Sequence, residues 1–273
     1  MKPRILLFIP MYNCEAQIVR VLDQLRGEAG SYIDQVIVVN NRSTDNGEQA
    51  VTRRLRQGGF PCAVKLLRNR ENYGLGGSHK LAFSYAIENG FDYVIVLHGD
   101  DQGHLEDLLP VLKSGDYQNY DCCLGARFMK GSRLEGYSRF RTFGNRVYNL
   151  LFSLVTCRRV RDLGSGLNLY RTDMLKSNFY HKFCDNLQFN YCMVLALQYY
   201  KNTARFFPIR WSEDDQVSNV KLTRQAANVL GLLFSYMFAR GRFMQKELRG
   251  VPRERYEADE IVSIPAPPEK AGL

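Results

Sequence analysis

Long apolar runs are missing from the sequence, and none reaches the roughly 18–20 residues that a membrane-spanning helix needs. The seven cysteines stand at irregular spacings without a CxxC pair, which argues against a disulfide framework or a structural zinc site and favours a reducing compartment. The opening MKPRILLFIP has too short an apolar part for a signal peptide and is typical of a first strand. No internal repeat occurs.

What the sequence does contain is a large apolar fraction and an excess of positive charge. The 273 residues are 45% hydrophobic, enough to bury a substantial core. The formal net charge is +9 and the pI about 9.2, which indicates an anionic partner. Nucleic acid, a phosphorylated small molecule and an anionic membrane all satisfy that requirement.

The first half of the chain alternates between short apolar runs and helix-length segments. Runs rich in β-branched and apolar residues lie at 4–9, 35–40, 63–68 and 92–98. Helix-length segments follow the first three, at 14–28, 46–57 and 76–89. This rhythm predicts βαβ units, and therefore an α/β protein with a Rossmann-like, mostly parallel sheet flanked by helices.

The second half is less regular. Strands are expected at 121–128, 166–171 and 204–211, and helices at 139–158, 187–200 and 224–246. Residues 1–223 are predicted to form the catalytic domain, 224–250 an amphipathic segment, and 251–273, rich in Pro, Glu, Arg and Lys, a disordered tail.

The stretch GDDQ, residues 99–102, follows the fourth apolar run. Ligands of parallel sheets bind at the carboxyl ends of the strands, and Asp100, Asp101 and Gln102 offer hard oxygen atoms there. Mg²⁺ and Mn²⁺ prefer such ligands, and His98 can add a nitrogen ligand. The alternative is that one aspartate only caps the helix that starts near His104.

Two further strand ends have alternative explanations. After the second run, Asn40 can present its amide to a nucleobase, or Ser43 can simply cap the next helix. After the third run, NYGLGGSHK suggests an anion-binding glycine loop with Lys80 on a phosphate, but it lacks the GK[ST] ending of a Walker loop. Glycines that permit tight packing, Gly76 among them, explain it equally well.

A basic stretch at residues 126–146 follows the fifth strand. Arg127 and Arg141 can form a phosphate clamp, because guanidinium groups match phosphate oxygens. A solvated basic face is the alternative, and the interleaved aromatic residues also suggest nucleic acid. No recognisable nucleic-acid module accompanies them, so nucleic acid is not expected as a partner.

Taken in order, these motifs resemble family 2 glycosyltransferases of the GT-A fold, especially the branch with dolichyl-phosphate mannosyltransferase and bacterial polyprenyl-phosphate glycosyltransferases. The resemblance covers roughly residues 3–222. It rests on IPMYN, VIVVNNRSTD, NYGLGGSHKLAF, VIVLHGDDQ, GARFMKGSRLEGYSRFRTFGNR, DLGSGLNLYR and SNVK.

The resemblance implies roles for individual residues. The nucleotide-binding set is Pro10, Tyr12, Asn13, Asn40, Asn41, Ser43, Gly76, Lys80, Gly99 and Asp100. The divalent cation would be held by Asp100 and Gln102, with His98 as a further candidate. The catalytic set is Asp100, Arg127, Asp162 and Asp185, and the acceptor phosphate side is Arg127, Arg141 and Ser165. Two positions depart from the family: His98 replaces an aspartate and Asn40 a usual carboxylate.

The function implied is an inverting, metal-dependent transfer from a UDP- or GDP-sugar to a polyprenyl phosphate, on the cytoplasmic face of a membrane. If the acceptor is instead a hydroxyl of a growing glycan, a carboxylate base is needed, and Asp162 and Asp185 are the candidates. A catalytically silent protein that binds nucleotide sugars is the third possibility.

The late apolar run VLGLLFSYMFA, residues 229–239, is too short to span a bilayer but suits an interfacial helix. Cationic residues flank it and can meet anionic headgroups; they are Lys221, Arg224, Arg240, Arg242, Lys246 and Arg249. The basic helix at 139–158 is a second candidate contact. Alternatively, both helices bury their apolar faces in the core or in a homodimer.

Overall fold

The computed structural model describes residues 2–213, 215 and 222–267, with side chains from residue 227 onward in the last range. The strands are β1 (Ile5–Met11), β2 (Gln35–Asn40), β3 (Ala63–Asn69), β4 (Tyr93–Leu97), β5 (Cys122–Ala126), β6 (Arg133–Glu135), β7 (Leu167–Arg171), β8 (Ala204–Pro208), β9 (Arg210–Ser212) and β10 (Ala258–Ile264). The helices are α1 (Glu15–Asp23), α2 (Gly47–Arg56), α3 (Gly74–Glu88), α4 (Leu109–Ser114), α5 (Arg139–Thr156), α6 (Thr172–Leu175), α7 (Phe189–Tyr199), α8 (Leu222–Phe238) and α9 (Arg240–Gln245).

One large sheet carries the fold, in the strand order β10-β3-β2-β1-β4-β7-β5-β8. The four central strands β3, β2, β1 and β4 are parallel, whereas β10 and β7 run antiparallel to their neighbours. A separate ladder joins β6 to β9. The predicted α/β architecture, a mostly parallel sheet flanked by helices, is therefore confirmed.

Alternate residues of β1 point into two different hydrophobic layers. Leu6 and Phe8 belong to the layer that also contains side chains of α3, α7 and α8. Leu7 and Ile9 belong to the opposite layer, with side chains of α1, α2 and α4. Because both faces are covered, the strand is apolar along its whole length instead of alternating with polar residues.

The C-terminal segment corrects one prediction. Disorder was expected from residue 251 onward, yet β10 pairs antiparallel with β3, and Lys65 binds Glu260 across the ladder at 2.8 Å. The prediction was wrong for residues 258–264 because the exposed side chains of an edge strand resemble those of a solvated tail. Only the partner strand reveals the pairing. Residues 268–273 lie outside the described part.

The helix expected at 224–246 is instead two helices. α8 ends at Phe238, Ala239 adopts φ −150° and ψ 56°, and α9 begins at Arg240. Of the helices that the structure describes, none is long and apolar enough to cross a bilayer. The motif SNVK, residues 218–221, falls outside the described residues.

Candidate active site

The loops after β1, β2 and β4 meet at one edge of the sheet. The Gly99 N–H donates to the Pro10 carbonyl at 3.1 Å, which joins the ends of β1 and β4. The Asn13 N–H donates to Ser43 Oγ at 3.1 Å, and Asn13 Oδ1 accepts from the Thr44 N–H at 2.8 Å. A Cβ on Gly99 would lie 2.8 Å from the Pro10 oxygen, so only glycine allows this approach. Several predicted nucleotide-binding residues therefore lie together.

The two asparagines after β2 are both buried. Asn40 donates from Nδ2 to Glu48 Oε2 at 2.7 Å, and its Oδ1 accepts from the Ser43 N–H at 2.8 Å. Asn41 Oδ1 accepts from Asn69 Nδ2 at 2.9 Å. These amides hold the loop in place, and their predicted contact with a nucleobase stays a prediction.

The adjacent aspartates after β4 point to different partners. Asp101, with φ 59°, binds Arg20 Nε at 2.6 Å through Oδ2 and accepts from Gln24 Nε2 at 3.0 Å through Oδ1. The Leu105 N–H donates to Gln24 Oε1 at 2.7 Å, so Gln24, and neither aspartate, caps the turn that follows. Arg20 therefore offsets the charge of Asp101, and Asp100 is the aspartate left at the strand end.

The carboxyl group of Asp100 has a raised pKa. Burial raises the pKa to about 6, opposed by backbone N–H groups including that of Gln102 and reinforced by the charge of Asp101. The Gln102 N–H lies 3.4 Å from Asp100 Oδ1. A carboxylate that is costly to ionise in isolation gains most from a nearby cation.

The residues around Asp100 fit a divalent cation that shares its coordination with a ligand. Burial, and then the charge of Arg127, lower the pKa of His98 to about 4, so its ring is neutral, and its buried Nε2 has no hydrogen-bond partner within the described residues. No three His, Cys, Asp or Glu side chains in the described ranges gather around one point. Mg²⁺ and Mn²⁺ commonly accept few protein oxygens and complete their shells with phosphate and water.

Glu213, at the end of β9, belongs to the site, although sequence reasoning missed it. Arg141 Nη1 binds Glu213 Oε1 at 2.8 Å and Oε2 at 2.7 Å. Gln102 Nε2 lies 3.4 Å from Glu213 Oε1. The guanidinium of Arg141 also lies over the Tyr137 ring at 4.8 Å. A carboxylate directly after a short strand was the available signal.

Arg127 and Asp162 form a buried ion pair. Arg127 Nε donates to Asp162 Oδ2 and Nη2 to Oδ1, both at 2.8 Å, and the Arg127 backbone N–H adds a third contact at 2.8 Å. Burial alone would lower the pKa of Arg127, but Asp162 raises it above its ordinary value. Trp211 stacks on the guanidinium at 4.9 Å. The pair thus fixes Arg127 against the strand that leads to Glu213.

Asp162 also accepts hydrogen bonds from the next residues of its loop. The N–H groups of Leu163 and Gly164 donate to its Oδ1 at 2.8 and 3.2 Å. Ser165 is buried, and its Oγ donates to the Leu167 carbonyl at 3.3 Å. The predicted roles of Asp162 as a base and of Ser165 near an acceptor phosphate stay predictions.

Lys80, Asp185 and Gly76 meet at the start of α3. Lys80 Nζ donates to Asp185 Oδ1 at 2.7 Å, and Tyr256 donates to the same oxygen at 2.6 Å. The Gly76 N–H donates to the Asp185 carbonyl at 2.7 Å, and a Cβ there would lie 2.4 Å from the Cys184 oxygen. Burial lowers the pKa of Lys80, partly opposed by Asp185. This geometry favours the packing explanation of the glycines; nucleotide binding by Gly76 and Lys80 and catalysis by Asp185 stay predictions.

Comparison with known proteins agrees with this geometry. The model of the family described as "Glycosyl transferase family 2" matches residues 7–179. The chain is 25% identical over 175 residues to the undecaprenyl-phosphate mannosyltransferase of Micrococcus luteus, covering 64% of this chain and 69% of the relative. It is 25% identical to the undecaprenyl-phosphate 4-deoxy-4-formamido-L-arabinose transferase of Serratia proteamaculans, covering 62% of this chain and 49% of the relative.

Among solved structures, the chain resembles glucosyl-3-phosphoglycerate synthase of Mycobacterium tuberculosis, in complex with Mn²⁺, UDP and glucosyl-3-phosphoglycerate. The TM-score is 0.55 at 14% identity, with 97% of this chain and 90% of that one covered. At this identity, the likeness shows the shared GT-A fold.

Proposed function

The chain belongs to glycosyl transferase family 2, and we propose that it moves a sugar, with inversion, from a nucleoside diphosphate donor to a polyprenyl phosphate on the cytoplasmic face of a membrane. The observation that carries this proposal is the position of α5. This helix begins beside Arg141, whose guanidinium binds Glu213 in the site, and it continues as a row of exposed apolar side chains.

The donor half of the proposal rests on the strand-end residues. The Tyr12 ring is 51% exposed beside the loop after β2 and offers a face on which a base can stack. Asp100 and Gln102 present oxygen atoms at the diphosphate position. A bound Mg²⁺ or Mn²⁺ would supply positive charge to the departing diphosphate. The structural relative in complex with UDP and Mn²⁺ supports this choice of donor and cofactor.

The acceptor half rests on charge and on the state of the carboxylates. A phosphate oxygen is already anionic and needs little help from a base, whereas a sugar hydroxyl must lose a proton. Asp162 and Asp185, the two base candidates, are held in ion pairs with Arg127 and Lys80 at 2.8 and 2.7 Å. The names of the Micrococcus and Serratia relatives both specify undecaprenyl phosphate. These points favour a lipid phosphate over a glycan hydroxyl.

The membrane surface is formed by α5 and α8, which pack against each other. On α5 the exposed apolar side chains recur every three or four residues and therefore share one face; they are Phe140, Phe143, Val147, Leu150 and Leu154. We call these five residues the α5 stripe. On α8 the exposed members are Leu230, Phe234, Met237 and Phe238.

α8 also has a face in the core, where Val229, Leu233 and Tyr236 are buried. The core explanation thus accounts for that half of the helix and leaves the outer half exposed. Arg240 donates to the Val155 carbonyl at 3.3 Å, which adds a cationic side chain where α5 approaches α9. Positive charge beside exposed apolar side chains suits an anionic bilayer.

The test combines transfer and vesicle binding. Purified protein is incubated with Mn²⁺, a panel of UDP- and GDP-sugars and either a polyprenyl phosphate in anionic vesicles or a soluble oligosaccharide. We expect transfer to the lipid, and co-sedimentation with vesicles that weakens as salt increases. Transfer only to the oligosaccharide, with the protein in the supernatant at low salt, would reject the lipid acceptor. Binding of a nucleotide sugar without transfer to either acceptor would reject the enzyme.

A further inference from the structure

We propose that Glu213 is a positioning residue that orients both Gln102 and Arg141 toward the diphosphate. This inference rests on the proposed function and adds to it a carboxylate that the sequence motifs did not include. Its basis is that a single side chain contacts one predicted cation ligand and one predicted phosphate-binding residue.

The backbone of Glu213 is held by the short ladder of β6 and β9. The Glu213 N–H donates to the Glu135 carbonyl at 3.0 Å, directly after the paired residues Glu135 and Ser212. Gly136, with φ 69°, approaches so closely that a Cβ there would lie 2.4 Å from the Glu213 carbonyl oxygen. The Glu213 side chain is 17% exposed. The carboxylate therefore projects from a constrained point at the rim of the site.

The contact with Gln102 decides which end of its amide faces Asp100. An ionised carboxylate accepts hydrogen bonds and cannot donate, so Glu213 attracts Nε2 of Gln102 and repels Oε1. With Nε2 at 3.4 Å from Glu213, the opposite end of the amide is its carbonyl oxygen. Since the Gln102 backbone lies beside Asp100, this orientation makes the amide oxygen available to a hard cation next to the carboxylate.

The contact with Arg141 fixes the second group. Both oxygens of Glu213 bind Nη1 of Arg141, and Tyr137 lies against the guanidinium plane at 4.8 Å. The planar guanidinium carries further N–H donors on Nε and Nη2 that suit phosphate oxygens. Glu213 thus holds the start of α5 next to the cation ligands, which links the donor side of the site to the proposed membrane surface.

The experiment measures Mn²⁺ affinity without turnover, by calorimetric titration in the presence of UDP, alongside transfer kinetics. Glu213→Ala should weaken Mn²⁺ binding about tenfold, as loss of an outer partner of a ligand typically does. Glu213→Gln retains an acceptor for Gln102 but loses the charge that binds Arg141. It should keep Mn²⁺ affinity within threefold and still lower kcat/KM at least tenfold. The matched control is Glu135→Gln, an exposed glutamate on β6, which should change neither quantity.

A double substitution separates positioning from a general structural effect. In a Gln102→Ala background, Glu213→Ala should cause no further loss of Mn²⁺ affinity, because its effect acts through Gln102. The inference fails if Glu213→Ala leaves affinity within twofold, or weakens it equally in both backgrounds, while the wild-type chain still binds and transfers. A wild-type chain that does not bind Mn²⁺ with UDP overturns the proposed function as well. Thermal melting of each variant establishes that it is folded.

Discussion

The loop edge of the sheet and the outer faces of α5 and α8 differ in how their side chains are satisfied. At the edge, polar groups such as Asn40 and Asn41 are buried and hydrogen-bonded to one another's loops. On the helices, apolar groups such as Phe143 and Phe238, both 67% exposed, face solvent. The first region is organised before a ligand arrives, whereas the second gains its stabilisation only from something that covers it.

Arg141 connects the two regions. It lies in the first turn of α5 and binds Glu213, which contacts Gln102. The same helix then carries the α5 stripe away from the site. If the two regions have separate roles, substitutions in one should leave the property of the other unchanged, and the predictions below use this separation.

The largest effect is expected at the edge. Asp100→Asn should lower turnover at least a thousandfold, about 4 kcal/mol, because a neutral amide stabilises a cation poorly. Vesicle binding should not change, and the melting temperature should not fall, since the buried carboxyl is costly to ionise. Asp101→Asn is the control, because Asp101 pairs with Arg20, and it should remain within tenfold of wild type. Normal turnover in Asp100→Asn would remove this residue from the site.

The next effect concerns stability. Asp162→Asn leaves the buried charge of Arg127 without its ionic partner and should lower the free energy of unfolding by about 3 kcal/mol, measured by urea denaturation. The double variant Arg127→Met, Asp162→Leu should recover most of that stability and remain inactive. Activity in the double variant would show that the pair serves packing alone.

The third effect belongs to the helices. Phe143→Ser with Leu150→Ser should weaken co-sedimentation with anionic vesicles about thirtyfold, roughly 2 kcal/mol, because two apolar side chains no longer enter the bilayer. Stability and transfer to a short-chain, water-soluble acceptor phosphate should persist, since both residues are exposed. Val251→Ser, exposed but off the α5 stripe, is the matched control. Loss of dimerisation in place of vesicle binding would identify a homodimer interface.

The smallest effect is a pH dependence that only the edge should show. A proton competes with a cation for the Asp100 carboxylate, whose pKa is about 6. Between pH 7 and pH 5, Mn²⁺ affinity should therefore fall about tenfold in calorimetric titrations. His98, with a pKa of about 4, stays mostly neutral in this range. Asp100→Asn should bind weakly and without this dependence. A flat profile for the wild-type chain would contradict the assigned pKa or the cation site.

Prediction from sequence succeeded where a local pattern carries the information. Continuous apolar runs identified β1 to β4, because a strand buried on both faces has no polar side. The strand-end rule located Asp100. It missed Glu213 because β9 has only three residues and Gln102 is 111 positions away in the chain. β10 was missed for a similar reason, since its partner β3 is distant in sequence.

By itself, then, the sequence determined the alternating strands and helices, the loops that meet at the sheet edge and the family to which their motifs point. Those features depend on side-chain periodicity and on residues close together in the chain. The tertiary structure decided which charged groups pair, and so turned Asp101 toward Arg20, Asp162 toward Arg127 and Glu213 toward Arg141. An ion pair depends on distances of a few ångströms in space, and spacing along the chain does not encode them.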